Sequence, residues 1–277
     1  MLSKSNKLYA GPWVGEFGWE LFCWQGYLRQ LSKSFKHTTV ACRKGHECLY
    51  EDFAETTSVD CIPCESNMWD CKGYKKPLFQ SLFKCQQGTS KWLQPMIPVV
   101  RYDHTHQLDK TLLFREFPKQ AFVQYGIKSK GYDVLIHARS KSNLVNNGIK
   151  SSYRNWDKEN WINLTNELQG KTIACIGTTQ ESEYIAGDDL RGISLKSLSD
   201  VFASSKLLIS PSSGPVHFAS LCGCPQVTWY GNPYDSQNTN RFITDWNPFN
   251  VKSSVIYNEK WNPDINQVLT LAKPFLD

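Results

Sequence analysis

Short apolar runs alternate along the second half of the chain with segments whose apolar residues recur every three or four positions. The run Tyr132-Asp133-Val134-Leu135-Ile136-His137, following Lys130-Gly131, is predicted as a buried strand. A polar segment rich in Ser, Asn and Lys (139–152) comes next. Asn155 then serves as a candidate N-cap with Glu159 nearby, and Trp161, Leu164 and Leu168 lie at helical spacing before Gly170 closes the element. The order repeats: a strand over Thr172–Ile176 ending at Gly177, and a short helix carrying Leu195, Leu198, Val201 and Phe202. A strand over Lys206–Ile209, a helix from Gly214 to Leu221 stopped by Gly223, and a strand over Gln226–Tyr230 follow. A last helix is predicted from Asp264 to Leu276. Near the N-terminus, Leu8-Tyr9-Ala10 leads through a glycine-rich loop into Leu21, Trp24, Leu28 and Leu31, again strand, loop and helix. Alternation of this kind argues for βαβ units, hence an α/β protein with parallel sheets covered by helices.

Composition sharpens this picture. At 277 residues, with 40% hydrophobic and 13% aromatic residues, the chain has the length for two domains and the apolar content for a sizeable core in each, which excludes a disordered or low-complexity class. We expect a first domain over 1–128, a second over 129–262 and a terminal helix over 263–277. The net charge of +5 lies wholly in the first half: residues 1–128 carry 17 basic and 12 acidic side chains, and residues 129–277 carry 14 of each. That bias suits an anionic partner on the first domain. The start MLSKSNKLYAGPW has no apolar run that would serve as a signal peptide, and no stretch approaches the ~18 apolar residues of a membrane span. A cytoplasmic protein without membrane insertion is the expectation.

Parallel sheets bind ligands at the carboxyl ends of their strands, which directs attention to the loops after Ile136, Ile176, Ile209 and Tyr230. The loop after Ile209 reads Ser210-Pro211-Ser212-Ser213-Gly214-Pro215-Val216-His217. Pro215 suits the first helical turn, where its missing N–H is no loss, and Ser213 or Gly214 supplies the cap. The free N–H groups and dipole of such a helix start form an anion site, which Gly214 lets a phosphate approach closely. His217, on the first turn, is placed to donate to a phosphate oxygen. An ordinary capped helix with a satisfied histidine accounts for the same residues.

The stretch from Leu190 to Gly231, with Leu190-Arg191-Gly192, Ser213-Gly214-Pro215-Val216-His217, Gly223, Pro225 and Tyr230-Gly231 in order, resembles the donor-binding half of the lipopolysaccharide heptosyltransferases and related GT-B glycosyltransferases. Weaker agreement extends upstream through Gly177-Thr178-Thr179 to Trp161 and Trp156. The resemblance implies a GT-B-like fold, two Rossmann-like domains facing a central cleft, with the terminal helix crossing back to the first domain. It implies that Ser213, Gly214 and His217 hold the diphosphate of a nucleotide sugar, with Ser212 and Pro215 also in the donor site, and that the loop from Gly177 to Glu183, with Thr178 and Glu181, lies by its nucleoside. Arg139 and Lys141, after the first strand of this half, are placed to neutralise the charge that grows as the nucleotide leaves. One departure stands out: Pro211-Ser212 occupies the place of the family's Asn-Asp, removing a carboxylate near the donor sugar. A different donor sugar and a non-catalytic copy both account for it.

In the first half, Gly11-Pro12-Trp13-Val14-Gly15-Glu16-Phe17-Gly18-Trp19-Glu20 lacks the spacing of a dinucleotide loop and the lysine of a P-loop. Gly15-Glu16 resembles the Gly-Asp pair of the heptosyltransferases, whose carboxylate is taken as the base. Glu16 is therefore the candidate that deprotonates the acceptor hydroxyl. Glu20 is the reserve, and reads otherwise as a solvated or N-terminal-turn carboxylate favoured by the helix dipole. Gly15, Gly18 and Trp19 would meet the acceptor, together with Lys72, Lys75 and Lys76.

Seven of the ten cysteines fall within residues 23–85. Cys61, Cys64, Cys71 and Cys85 offer a weak zinc pattern without a second C-x-x-C, so buried free thiols are the expectation. The Asp-x-Asp of metal-dependent glycosyltransferases is absent, and catalysis without a metal is expected. The leading functional reading is an inverting transfer from a nucleotide sugar to a hydroxyl. The small size and the basic first half resemble short bacteriophage glycosyltransferases that act on hydroxymethylated cytosine, making modified double-stranded DNA the preferred acceptor. A saccharide-directed transferase building lipopolysaccharide or capsule is the alternative, and a non-catalytic nucleotide-sugar-binding module the second.

Overall fold

In a computed structural model the described residues are 7–13, 16–59, 90–93, 120–141, 145–146, 149–231 and 239–277. They form two units, Met1–Phe122 and Val123–Asp277.

The first unit is built on a four-stranded sheet: β1 (Lys7–Ala10), β2 (His37–Arg43), β3 (Glu55–Val59) and β4 (Ser90–Leu93), in the order β3-β2-β1-β4 with every pairing parallel. Between β1 and β2 one helical stretch runs as α1 (Phe17–Trp19), a π-helical segment (Glu20–Gln25) and α2 (Gly26–Ser32). Of the face predicted from spacing, Leu21, Trp24 and Leu28 are buried, together with Phe22, and Leu31 is half-buried; Leu8, Ala10 and Val40 of the sheet are buried as well. A buried network locks the far end of this stretch to the chain. The Arg29 guanidinium donates to both carboxylate oxygens of Asp52, at 2.7 and 2.9 Å, and to the carbonyls of Leu49 and Ala121.

The second unit carries a six-stranded sheet of β5 (Val134–Ile136), β8 (Ile173–Cys175), β9 (Asp188–Asp189), β10 (Leu208–Pro211), β11 (Gln226–Tyr230) and β12 (Ser253–Tyr257). Its order is β12-β11-β10-β5-β8-β9, again parallel throughout, with a small antiparallel hairpin of β6 (Val145–Asn146) and β7 (Ile149–Lys150) beside it. Among the described residues three longer helices connect strands, α3 (Lys158–Glu167), α4 (Leu195–Ser204) and α5 (Gly214–Cys222), and α6 (Ile265–Leu276) follows the last strand. Both sheets are parallel and carry helices, as the strand and helix alternation predicts. β5, β10 and β11 are buried along their whole length, which is why they read as continuous apolar runs.

Trp156, Trp161 and Trp229 pack ring against ring in this core, with centroids 4.8 to 5.7 Å apart. Asp264 caps α6, its carboxylate accepting from the Asn266 N–H at 2.9 Å, and the helix packs on α3 and β11. Asn155 does not cap α3 as its sequence position suggests; Asp157 stands there, and Asn155 is used by Arg139 and Lys141 instead. The stop after α5 is at Gly223, whose φ of +78° is the left-handed turn that glycine adopts without strain.

At the start of β5 the Asp133 carboxylate accepts from the Thr172 backbone N–H at 2.8 Å and hydroxyl at 2.9 Å and pairs with the Lys206 ammonium at 2.8 Å. The Lys206 bond foremost, then the Thr172 backbone, lowers its pKa to about 2 from the ordinary 3.8. A depressed carboxylate contributes stability above its unfolded value and loses it as pH falls toward 2. Exchanging Asp133 for Asn is expected to remove about 1 kcal/mol at neutral pH, after discount for solvent screening, and to flatten stability between pH 4 and 2. Urea titrations of both proteins at pH 2.5, 4 and 7 check this; an unchanged acid limb contradicts it.

Candidate functional site

In the second unit the carboxyl edge of the sheet gathers the loops after β5, β8 and β10. His137, one residue past β5, is buried, and its Nδ1 lies 3.1 Å from the hydroxyls of both Ser210 and Ser213. Those two hydroxyls are 3.2 Å apart. Burial, with a smaller contribution from the Arg139 charge, pushes His137 down to about 3, so the imidazole is neutral at physiological pH. Across from it, Gly177 has a φ of +118°, and a Cβ there would fall 2.6 Å from Ser182 Oγ and 2.8 Å from His137 Cδ2. Only glycine fits that close approach of the β8 loop to the β5 loop.

The loops are joined by backbone as well. The Ser140 N–H donates to the Glu181 carbonyl and the Glu183 N–H to the Ala138 carbonyl. Thr178 Oγ1 accepts from the Glu181 N–H, and the Thr178 carbonyl accepts from Ser182. Ser212 is buried, its N–H bonded to the Trp229 carbonyl at 2.8 Å. Ser213 precedes α5 in extended conformation, and Gly214 and Pro215 form its first turn. The Ser213 hydroxyl turns to His137 and Ser210 instead of capping the helix, so it leaves the first N–H groups of α5 without a side-chain cap.

His217 is edge-on to Trp246 at 4.4 Å and parallel to Phe242 at 6.3 Å, and Phe242 in turn stacks on Tyr230 at 5.7 Å. Burial first, then the positive charges of Arg154 and Arg241, lowers His217 to about 3. The ring therefore carries one proton and donates a single N–H. Arg241 is buried and lies over the Trp246 ring at 5.2 Å, while Arg154 lies over Trp261 at 4.9 Å. A helix start, a neutral histidine and two guanidinium groups thus share one rim, a composition suited to a phosphate dianion.

Ser213 and Gly177 are brought together at His137, and Thr178 and Glu181 are bonded to each other within the β8 loop. Lys141 and Glu181, read separately in the sequence as phosphate and nucleoside groups, form an ion pair of 2.6 Å. Arg139 donates to the Asn155 side chain. Sequence reasoning missed His137, Arg154 and Arg241. His137 had a signal, a polar residue closing an apolar run at the ligand-binding edge.

In the first unit the rim holds a second cluster. Glu16 is exposed; its carbonyl accepts from the Trp13 indole at 3.1 Å and the Glu20 N–H at 3.2 Å. Gly18 and Trp19 lie half-buried in α1. Glu20 stands on a first helical turn but is not solvated. As the first residue of the π-helical segment it has zero exposure, and there Oε2 meets His46 Nδ1 at 2.9 Å and Oε1 accepts from the Tyr50 hydroxyl at 2.7 Å. Burial alone would raise its pKa, but His46, Arg43 and Tyr50 together outweigh it and hold the carboxyl below its usual range. Gly15, Lys72, Lys75, Lys76 and the candidate zinc ligands Cys61, Cys64, Cys71 and Cys85 lie outside the described residues. Among the described residues no group of three or more His, Cys, Asp or Glu is placed to hold a metal ion, and no helix is long and apolar enough to cross a membrane.

Two parallel α/β units of this construction are the architecture of GT-B glycosyltransferases, and solved structures agree. The chain is similar over its full length to a glycosyl transferase family 9 protein from Veillonella parvula, at 13% identity and a TM-score of 0.59, covering 98% of that chain. It is similar to the ADP-heptose lipopolysaccharide heptosyltransferase II of Escherichia coli, at 15% identity and a TM-score of 0.61, over 98% of each chain. A third, the iron-containing dodecameric glycosyltransferase TibC of enterotoxigenic Escherichia coli, is 12% identical with a TM-score of 0.55, over 100% of this chain and 78% of that one. No protein-family model matches the chain, and no curated protein matches its sequence. At these identities the likeness establishes the GT-B-type fold.

Proposed function

We propose that the protein is a glycosyltransferase that moves a sugar from a nucleotide-sugar donor to a hydroxyl of a saccharide. The observation that carries this is the uncapped start of α5 at the carboxyl edge of the second sheet, beside His217 and the charges of Arg154 and Arg241. Such a rim stabilises the diphosphate as it departs from the anomeric carbon, the point at which negative charge grows. The acceptor side falls to the first unit, where Glu16 is exposed in the loop after β1 and is the carboxylate proposed to engage the acceptor hydroxyl.

A saccharide acceptor is preferred over modified DNA because one structure that shares the fold is described as a lipopolysaccharide heptosyltransferase. The basic bias of residues 1–128 was the ground for DNA, and a lipopolysaccharide core is equally anionic. In the test, ADP-heptose, UDP-glucose and GDP-mannose are each offered with heptose-deficient lipopolysaccharide or with duplex DNA containing hydroxymethylcytosine, and released nucleoside diphosphate is measured. Release that depends on the lipopolysaccharide supports the reading. Release that depends on DNA restores the nucleic-acid acceptor, and binding of a donor without turnover leaves a binding module. Since the sequence lacks an Asp-x-Asp, chelation with EDTA is expected to leave the rate unchanged. Replacing His217 by Ala is expected to weaken nucleoside diphosphate binding about tenfold, the worth of one hydrogen bond to a charged oxygen. Equal affinity in a calorimetric titration would remove the phosphate role of His217.

A further inference from the structure

The cluster of Glu20, His46 and Tyr50 is the feature of the first unit that folding needs explain least. A carboxylate with zero exposure is costly to bury, and an apolar side chain of similar size would fill the same space without that penalty. This one opens the π-helical segment, which follows the short α1 after the loop at the end of β1. Single turns of π-helix inserted among α-helical turns recur at functional sites because they re-aim side chains. Its partner stands at the same edge of the sheet: β1 and β2 run parallel in register, and His46 lies three residues beyond the end of β2.

The histidine is held firmly. Its backbone N–H donates to the Arg43 carbonyl at 2.9 Å, its carbonyl accepts from Leu49, and the edge of its ring packs against Phe17 at 5.4 Å between centroids. Arg43 is in turn bonded to the Trp13 carbonyl at 3.0 Å, and the Trp13 indole donates to the Glu16 carbonyl, so the loop bearing Glu16 and the turn bearing His46 are tied together. With Glu20 accepting at Nδ1, the proton of a neutral imidazole resides there and the lone pair is on Nε2. His46 keeps partial exposure, 18% of its side chain, while Glu20 has none.

We propose that His46 takes the proton from the acceptor hydroxyl, with Glu20 as the positioning residue that fixes its tautomer and orientation. This rests on the glycosyltransferase reading. The hydroxyl proton passes to His46 Nε2 as the acceptor oxygen bonds to the anomeric carbon. The bond from that carbon to the diphosphate oxygen breaks, and the nucleoside diphosphate leaves with the electron pair. The imidazolium so formed faces the Glu20 carboxylate and later returns its proton to water. A carboxylate backing a histidine in this way is a recurring device for general-base catalysis. Glu16 then serves to bind the acceptor hydroxyl, and an exposed carboxylate suffices for that.

The test uses the full chain with the donor and acceptor pair that gives product in the panel above, in four reactions: wild type, His46→Ala, His46→Ala with added imidazole, and Glu20→Gln. His46→Ala is expected to lose about a hundredfold or more in kcat, the range of general-base catalysis, while its affinity for nucleoside diphosphate stays at the wild-type value. Imidazole is expected to restore part of that rate. Glu20→Gln is expected to lower kcat with little change in KM for the acceptor. A kcat for His46→Ala within a few-fold of wild type overturns the proposal. So does a loss that imidazole does not relieve, and so does a loss accompanied by a lowered melting temperature and lost diphosphate binding, which marks the cluster as a structural brace. If wild type releases no diphosphate from any pair, the glycosyltransferase reading falls and this assignment with it.

Discussion

Replacing Trp161 by Ala is expected to destabilise the second unit by about 3–5 kcal/mol, the range for removing a large aromatic from a packed core. Trp161 is 1% exposed and is in ring contact with both Trp156 and Trp229. The loss joins two effects: the transfer free energy of the indole, and a cavity between α3 and β11 that the rigid neighbouring rings cannot collapse to fill. Trp161→Phe keeps most of the volume and is expected to lose less than half as much. Urea unfolding followed by far-UV circular dichroism reads both. Near-equal midpoints for wild type and the alanine variant would show that the tryptophan cluster does not hold this unit together.

The second large effect is expected at Gly177. A Cβ on this residue meets Ser182 Oγ and His137 Cδ2 well inside contact distance, and its φ of +118° is closed to other L residues. Gly177→Ala therefore has to move either the β8 loop or the buried imidazole, and His137 is what holds the Ser213 hydroxyl at the start of α5. The expected outcome is a loss of about 3 kcal/mol in stability from strain and overlap combined. Together with it, nucleoside diphosphate affinity falls at least tenfold at temperatures where the variant remains folded. A variant that binds as wild type would detach the β8 loop from the donor site.

The second unit was legible in the sequence because its central strands are buried on both faces and so appear as uninterrupted apolar runs. The edge strands β9, β12 and β3 were not. β9 is only Asp188–Asp189, both exposed, and β3 is the largely exposed polar segment Glu55–Val59. Their existence depends on pairing with a neighbour, which no local pattern encodes. The start of α5 was legible for a local reason too, since Pro215 at the first turn and Gly223 at the stop bracket the helix chemically. His137 was folded into a strand by its apolar neighbours, and its meeting with Ser210 and Ser213, more than seventy positions away, is made by the pairing of β5 with β10. Glu20 misled for a different reason. Leu21, Trp24 and Leu28 specify a helix, but not that Glu20 lies in the interior, where it meets His46 and Tyr50 from distant parts of the chain.

The central claim is that the start of α5 receives the diphosphate of a nucleotide sugar. It is tested most directly by titrating ADP into the isotopically labelled protein and following backbone amide resonances. The account predicts saturable shifts largest at Ser213, Gly214, Val216 and His217, with smaller ones in the loop from Gly177 to Ser182. Saturable binding whose shifts fall elsewhere, or the absence of binding at millimolar ADP, would contradict it.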